Sequence, residues 1–347
     1  GLHHAAAQGL PGGTWLVALT SGSTAAPRAV CRSRASWEAS VAHVADLTGT
    51  GPGCRVLVPG PLSSTLFLHA AWHARQVGAR PVLADPSRSW AGLAWDVAHL
   101  VPHQLARLVD DPAAELAGRT AVVAGAALPA HLAERARTRG LRVVTYYGSA
   151  ELSFVAAGPG ADVPGGATAL RPFPEVDVDV RDGEIWVRSP YVALDYLGPP
   201  GSPDGVGPAG SPAPWRRDRH GWSTVGDRGH IGEDGWIVVR GRGDAAVQTG
   251  GATVHVADTE HALRAHPGVT DVVVTGVPHP ELGQVVAAVV ESSTAGVPEL
   301  RAWAKATLPS HARPRRWAVV ERLPRTPSGK ADRAAVAPLL RRGHGDG

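Results

Sequence analysis

Lysine is nearly missing from this chain of 347 residues: of its 34 lysines and arginines, only Lys305 and Lys330 are lysine. Arginine is a planar fork suited to fixed bidentate contacts, whereas lysine is a point charge on a mobile stem, so a compact ammonium has been kept at two places only. Cysteine is as scarce. Cys31 and Cys54 form no Cys-x-x-Cys pair, which argues against a disulfide framework or a zinc site and fits a reducing cytosol. The 16 histidines show no His-Glu-x-x-His spacing, and His69 and His73, four apart in an alanine-rich stretch, read as helix packing rather than metal ligands. No apolar run nears the roughly 18 residues that cross a bilayer, and no basic-then-apolar leader opens the chain. The expectation is a cytoplasmic chain that is neither secreted nor in the membrane. Strong charge is lacking too. A net charge of +3 reflects arginine excess, and Arg216-Arg217 and Arg315-Arg316 read as solvated surface, so nucleic acid is not expected as a partner.

What is present is ordinary globular material, 44% hydrophobic and 19% charged, in a length that suits about two domains. The 42 glycines and 30 prolines lie scattered among apolar runs and mark many turns rather than disorder, and no internal repeat appears. Trp15–Leu19 reads as a buried strand, 35–47 as a helix, and 55–58, 81–84, 121–124 and 142–146 as further strands separated by helix-sized segments. That alternation predicts an α/β fold with a largely parallel sheet. From Val176 the period changes to two, as in Val-Asp-Val-Asp-Val, predicting smaller antiparallel strands, and Gly198–Ser211 reads as an exposed loop. A hairpin over 229–242 precedes a second pattern: helix 257–265, strands 271–276 and 284–291, helix 297–308 and strand 316–320. The expected division is a large N-terminal domain, 1–241, and a small hinged α+β domain, 242–347.

Five stretches carry chemistry. Thr20-Ser-Gly-Ser-Thr-Ala-Ala-Pro-Arg28, between a strand and a helix, offers hydroxyls, backbone N–H groups and charge suited to phosphate, although it is not a Walker loop. Tyr146-Tyr-Gly-Ser-Ala-Glu151 places aromatic rings at a strand end and a carboxylate a turn later, able to stack on a base and hold Mg²⁺. Trp222-Ser-Thr-Val-Gly-Asp227 and Gly241-Arg-Gly-Asp244 supply carboxylates and an arginine for a ribose, or else surface ion pairs. Leu323-Pro-Arg-Thr-Pro-Ser-Gly-Lys330 ends on one of the two lysines. Each is by itself compatible with a plain turn.

In order and spacing these segments resemble the adenylate-forming superfamily of acyl-CoA synthetases, peptide-synthetase adenylation domains and firefly luciferase. The first looks like that family's Thr-Ser-Gly-Ser-Thr-Gly-x-Pro-Lys-Gly loop, residues 147–151 like Tyr-Gly-x-Thr-Glu, and 224–227 like Thr-Gly-Asp. Residues 241–251 with Glu260 resemble its hinge-and-glycine segment and 323–330 its Leu-Pro-x-Thr-x-x-Gly-Lys, so the likeness covers Val17 to Arg333. The resemblance implies roles. Thr20, Ser21, Gly22, Ser23, Thr24 and Arg28 would grip the phosphates of ATP; Gly125, Ala126, Ala127, Tyr147 and Gly148 would form the adenine slot. Asp227 and Arg242 would hold the ribose, Glu151 would bind Mg²⁺ as a catalytic residue, Asp244 would be the hinge, Gly250 and Gly251 would line a tunnel for coenzyme A, and Lys330 would be the catalytic lysine.

Departures from the pattern are Arg28-Ala29 for Lys-Gly, Ala150 for Thr, and Pro59-Gly-Pro-Leu-Ser-Ser64 for a segment that usually ends Pro-x-x-His. Only 19 residues precede the phosphate loop, a short form similar to actinobacterial o-succinylbenzoate–CoA ligases, whose Val-Pro-x-Gln-Leu stretch Leu100–Leu108 also resembles. The expected activity is AMP-forming ligation of a small or aromatic carboxylic acid to coenzyme A, with ATP and Mg²⁺, and o-succinylbenzoate as the leading candidate. Two alternatives stand beside it: loading of a carrier-protein phosphopantetheine, and a non-catalytic nucleotide-binding descendant. A homodimer is left open.

Overall fold

A computed structural model describes residues 10–20, 28–163, 167–197, 215–242, 246–327 and 329–342. Ser21, Gly22, Ser23, Thr24, Asp244, the Gly198–Ser211 loop and the side chain of Arg242 lie outside the described residues.

The N-terminal part alternates strand and helix: β1 (Leu16–Leu19), β2 (Ala29–Arg32), α1 (Arg34–Glu38), α2 (Val41–Thr48), β3 (Arg55–Val58), α3 (Thr65–Gln76), β4 (Arg80–Leu83), β5 (Val97–Leu100), α4 (Pro102–Asp110), β6 (Thr120–Val123), α5 (Ala130–Thr138) and β7 (Arg142–Ser149). Strands β4, β3, β5, β6 and β7 lie side by side in parallel, as the alternation predicts. Leu57, Leu100, Leu105, Leu132 and Trp95 build the core against this sheet. Strand β5 was not legible as a strand, since His99 interrupts a run of only four residues, all buried. The helix expected over 35–47 is two helices. Ser40 Oγ turns back to the carbonyl of Trp37 at 2.8 Å and marks the break. Strand β1 exists but is not buried: it pairs only with β2, as an edge, and leaves Val17 40% and Leu19 49% exposed.

Beyond β7 the same sheet continues with antiparallel strands: β8 (Ser153–Val163), β9 (Ala167–Pro172), β10 (Asp177–Arg181), β11 (Glu184–Arg188), β12 (Asp195–Tyr196), β13 (Arg216–Arg217), β14 (Ser223–Thr224), β15 (Asp227–Ile231) and β16 (Ile237–Arg242). All but β12, which joins β1 and β2, belong to the 13-stranded sheet. Here the arginine excess finds its use. Arg181 stacks over Trp186 at 4.7 Å and Trp222 at 5.2 Å, Arg188 over Trp222 at 4.9 Å and Arg216 over Trp186 at 5.5 Å. A planar guanidinium stacks on an indole as an ammonium does not, so these positions favour arginine over lysine.

The large sheet ends with β16 at Arg242, and the next strand starts a separate sheet. That unit comprises β17 (Ala246–Thr249), β18 (Ala252–His255), α6 (Val256–Arg264), β19 (Asp271–His279), β20 (Gly283–Glu291), α7 (Val297–Thr307), a 3₁₀ turn (Ser310–Ala312), β21 (Arg316–Val320), α8 (Arg333–Val336) and α9 (Leu339–Arg342). Its five strands run β18-β17-β20-β19, with β21 parallel to β20. Val254, Leu263, Val272, Val290 and Leu300 close a core of its own under α6 and α7.

Candidate active site

In a parallel sheet, ligands bind beyond the carboxyl ends of the strands, where loops and helix starts converge. Several sequence-predicted residues meet at that edge here. Gly125, Ala126 and Ala127 follow β6, Tyr147 and Gly148 end β7, and Val101 opens the turn from β5 into α4. Buried Gln104 braces that turn: its Oε1 accepts the Val101 N–H at 3.0 Å and its Nε2 donates to the Pro59 carbonyl at 2.7 Å. Gly148 runs so near β8 that a Cβ there would stand 1.8 Å from the Ser153 carbonyl oxygen, so this position admits no side chain. The Tyr147 hydroxyl donates to Asp227 Oδ2 at 2.7 Å, joining two residues 80 apart in sequence. Asp227 in turn sits opposite Arg242 in the β15–β16 register.

Lys330 arrives from the other unit. A Cβ built on Gly125 would lie 3.7 Å from Lys330 Cε, so the lysine reaches the end of β6. Its loop is a tight reversal: Gly329 N donates to the Thr326 carbonyl and Thr326 N to the Lys330 carbonyl, both at 2.8 Å. Gly329 has φ +84°, and a Cβ there would lie 2.9 Å from Val101 Cγ2 and 3.0 Å from His103 Cε1. Glycine is therefore required twice, by conformation and by the close approach to α4. Between the two units, His103, Ala126, Ala127, Asp271, Arg325 and Lys330 line a cavity of about 20 Å³, enough for one water.

The lysine loop is anchored by an alternating chain of charges. Arg325 Nη1 meets Asp271 Oδ2 at 2.9 Å and its Nη2 meets Glu291 Oε2 at 2.5 Å. Arg264 links Asp271 to Glu260 at 3.2 Å on each side, and Arg333 Nη2 closes on Glu260 Oε1 at 2.5 Å. Burial works to raise the Asp271 carboxyl, but Arg264 and Arg325 overcome it and hold the group below the usual carboxylate range. Three acids and three arginines thus compensate one another beneath the residue that projects into the cavity.

At the phosphate loop only the closing pair is described. Thr20 N donates to the Arg28 carbonyl at 2.8 Å, and Arg28 N donates to Thr20 Oγ1 at 2.9 Å. Arg28 Nε is buried with no hydrogen-bond partner among the described residues, a donor suited to an anion. Its guanidinium lies 5.8 Å from the ring centre of Tyr196, whose hydroxyl donates to Glu151 Oε1 at 2.8 Å. Burial first, then the Glu151 charge, push the Tyr196 phenol far up, so it stays a neutral donor. Glu151 is only 3% exposed. Among the described residues no group of three or more His, Cys, Asp or Glu could cage a metal. A single buried carboxylate is the donor set expected for Mg²⁺ that travels with a nucleotide's phosphates.

Some neighbours of the site were not foreseen. Arg32, 1% exposed, donates to the Ala150 carbonyl at 2.5 Å and to the Tyr191 carbonyl, bracing the turn that carries Glu151. Burial lowers its pKa to about 10, against the opposing pull of Glu151. Only its position four residues past Arg28 hinted at a role. His103 has a buried Nδ1 without a partner among the described residues, and burial followed by the Arg325 charge drops its pKa to about 3. The Val-Pro-His-Gln-Leu likeness pointed at this stretch but not at the imidazole. His69 and His73 stack in α3, bonded to Ser40 Oγ at 3.3 Å and to the Val41 carbonyl at 3.0 Å, in keeping with packing.

Gly250 and Gly251 do not join the cluster. They form the two-residue turn of the β17–β18 hairpin, with φ of +54° and +83°, and a Cβ at Gly251 would meet nothing within 4 Å.

The sequence profile of the AMP-binding enzyme family matches residues 9–197, and that of the AMP-binding enzyme C-terminal domain matches residues 258–330. The chain belongs to the AMP-binding enzyme family, the adenylate-forming enzymes. Among curated relatives it is similar to the probable 2-succinylbenzoate–CoA ligase of Mycobacterium tuberculosis, 34% identical over 92% of this chain and 83% of that protein. It is also similar to the uncharacterized acyl–CoA ligase YhfT of Bacillus subtilis, 29% identical over 92% of this chain and 67% of that protein. Among solved structures, an E. coli MenE variant with bound OSB-AMS superposes with a TM-score of 0.73 at 28% identity, over 88% of this chain and 65% of that one. The chain thus spans about two thirds of the length of several proteins it matches. No helix among the described residues is long and apolar enough to cross a membrane.

Proposed function

We propose that this chain is an ATP-dependent, AMP-forming acid–thiol ligase that activates a small aromatic carboxylic acid, o-succinylbenzoate first among candidates, and passes it to coenzyme A. The observation that carries the reading is the seat of Lys330, reaching Gly125 and lining one cavity with Ala126 and Ala127. Attack of a carboxylate on the α-phosphate brings two anions together, and charge grows on the phosphoryl oxygens as the new bond forms and the bond to the leaving pyrophosphate breaks. A mobile ammonium aimed at that point stabilises the transition state more than the bound substrates.

In this reading Thr20, Arg28 and the intervening loop hold the phosphates, Tyr147 and the 125–127 strand end hold the adenine, and Asp227 with Arg242 takes the ribose hydroxyls. Glu151 would hold Mg²⁺, which when bound neutralises phosphate charge. Tyr196 and Arg32 keep that carboxylate and its turn in place. The boundary lies at 241/242 with Asp244 as pivot, the arrangement described here being the adenylating one. A swing of the smaller unit would remove Lys330 and bring the Gly250–Gly251 turn toward the acyl-adenylate as the thiol's path. A cytoplasmic setting is part of this proposal, in keeping with the free cysteines Cys31 and Cys54.

The deciding experiment is a pyrophosphate-release screen of aryl and aliphatic acids with ATP and Mg²⁺, with coenzyme A or a holo carrier protein as acceptor. Release dependent on an aryl acid, with thioester formed on coenzyme A, is the expected result. Failure of every acid would overturn the reading in favour of a nucleotide-binding descendant without catalysis.

A further inference from the structure

His103 has no part in that chemistry so far. It sits in the first turn of α4, in the larger unit, and faces the lysine loop of the smaller one. Its Cε1 lies 3.0 Å from where a Cβ on Gly329 would stand, one residue before Lys330. A buried imidazole that only packs normally satisfies its polar edge, yet Nδ1 is buried with no hydrogen-bond partner among the described residues. His103 and Lys330 line the cavity of about 20 Å³ between the units, together with Asp271 and Arg325. That volume holds one water, and a water is retained only where two to four polar groups meet it. These four side chains form a matched set. Nδ1 and the Asp271 carboxylate are acceptors, while the Arg325 guanidinium and the Lys330 ammonium are donors. Burial first, then Arg325, oppose a proton on the imidazole against the pull of Asp271, and Arg107 on its own helix and Arg322 ahead of the loop add to that opposition. The ring therefore stays neutral where the loop covers it.

We propose that His103 is a positioning residue for Lys330: with its proton on Nε2, it accepts at Nδ1 from a water held in this cavity, and that water ties the larger unit to the lysine loop. The inference rests on the ligase reading above. The water donates to Nδ1 and to Asp271 and accepts from Arg325 and Lys330, so all four of its hydrogen bonds are used. The ammonium is then fixed at the end of β6 rather than left to the freedom of its four-carbon stem. His103 acts through Lys330, not on the substrate.

The test uses the full chain with His103→Leu, which removes the nitrogen at similar size, and His103→Gln, which offers an amide able to hold the water. Pyrophosphate exchange and thioester formation from pre-made acyl-adenylate are measured across mildly acid to alkaline pH. Acetylation of Lys330 by an amine-reactive ester is followed by peptide mass spectrometry, with the exposed Lys305 as internal control. Losing one hydrogen bond of this kind is worth about fivefold to tenfold. His103→Leu should slow kcat of exchange by that much with KM for ATP unchanged, leave thioester formation intact, and speed labelling of Lys330 relative to Lys305. His103→Gln should recover most of the exchange rate and the slow labelling. It should also outpace wild type below about pH 6.5, where an uncovered imidazole takes up a proton and the amide does not. Wild-type exchange and labelling in His103→Leu would overturn the proposal. So would an equal fall in both half-reactions, which marks a loss of fold rather than of position, or a Gln variant as impaired as Leu, which would leave only the shape of the ring. If the wild type exchanges pyrophosphate with no acid, the ligase reading fails, while the labelling of Lys330 still decides whether His103 seats the loop.

Discussion

Replacing Arg325 with Met should separate the two half-reactions. Arg325 joins Asp271 at 2.9 Å and Glu291 at 2.5 Å and stands five residues before Lys330 in the loop. Removing one member of a buried pair costs about 3–5 kcal/mol when the other charge is abandoned. Neither acid is abandoned here. Asp271 keeps Arg264 at 3.2 Å, and Glu291 keeps the Leu323 N–H at 2.9 Å. We therefore expect the low end, about 3 kcal/mol. If the smaller unit melts independently, that is a fall of about 12 °C or more in its Tm. A lysine displaced by about 1 Å should slow pyrophosphate exchange roughly 100-fold, while thioester formation from pre-made acyl-adenylate changes little. Arg325→Lys keeps the charge but loses the fork, and should fall between. The effect should also depend on pH with a definite sign. The folded Asp271 carboxyl is depressed, so its contribution is present above the unfolded carboxylate pKa of about 4 and is lost as pH falls through the folded value. The stability gap between wild type and Arg325→Met should accordingly be full at neutral pH and shrink in acid below about pH 4. Calorimetric melts from pH 3 to 8 beside the two half-reaction assays supply the data. An equal loss in both half-reactions, or exchange at the wild-type rate in a destabilised variant, would refute the anchoring argument.

Lys330→Ala should abolish adenylate formation and spare thioester formation from acyl-adenylate, because the ammonium answers charge only on the α-phosphate; comparable losses in both would remove that role. Tyr147→Phe deletes the 2.7 Å bond to Asp227 and should raise KM for ATP a few-fold, about 1 kcal/mol, with Asp227→Ala costing more by exposing a ribose without its acceptor; equal nucleotide affinity in all three proteins would place the pair outside the site. His103 is neutral where the lysine loop covers it, with a pKa near 3, and its usual value is about 6.5 when uncovered. Seating of the loop is thus favoured above about pH 6.5 and weakens progressively below it, so pyrophosphate exchange should decline in acid, and His103→Gln should flatten that limb; an unchanged profile would rule the imidazole out.

Membership of the AMP-binding enzyme family was legible in the sequence because its motifs are local grammar. A hydroxyl- and glycine-rich turn and a glycine-flanked lysine loop are built from consecutive residues, so spacing alone marks them. The alternation of strand and helix to β7, apart from β2 and β5, and the helices and strands from 257 to 320 were legible for the same reason: period and turn residues act within a dozen positions. Strands β17 and β18, in the glycine-rich stretch before them, were not foreseen. Tertiary structure decided what local grammar cannot carry. Whether Val17 and Leu19 were buried depended on what covers β1, not on their apolarity, and His99 belongs to a strand because β3 and β6 flank it. The hydroxyl of Tyr147 finds Asp227 across 80 residues, and Arg32 reaches the Ala150 carbonyl across 118. The charge chain beneath Lys330 likewise exists only after folding. Burial and charge act through space, and only the completed fold brings these groups within the few ångströms over which such forces matter.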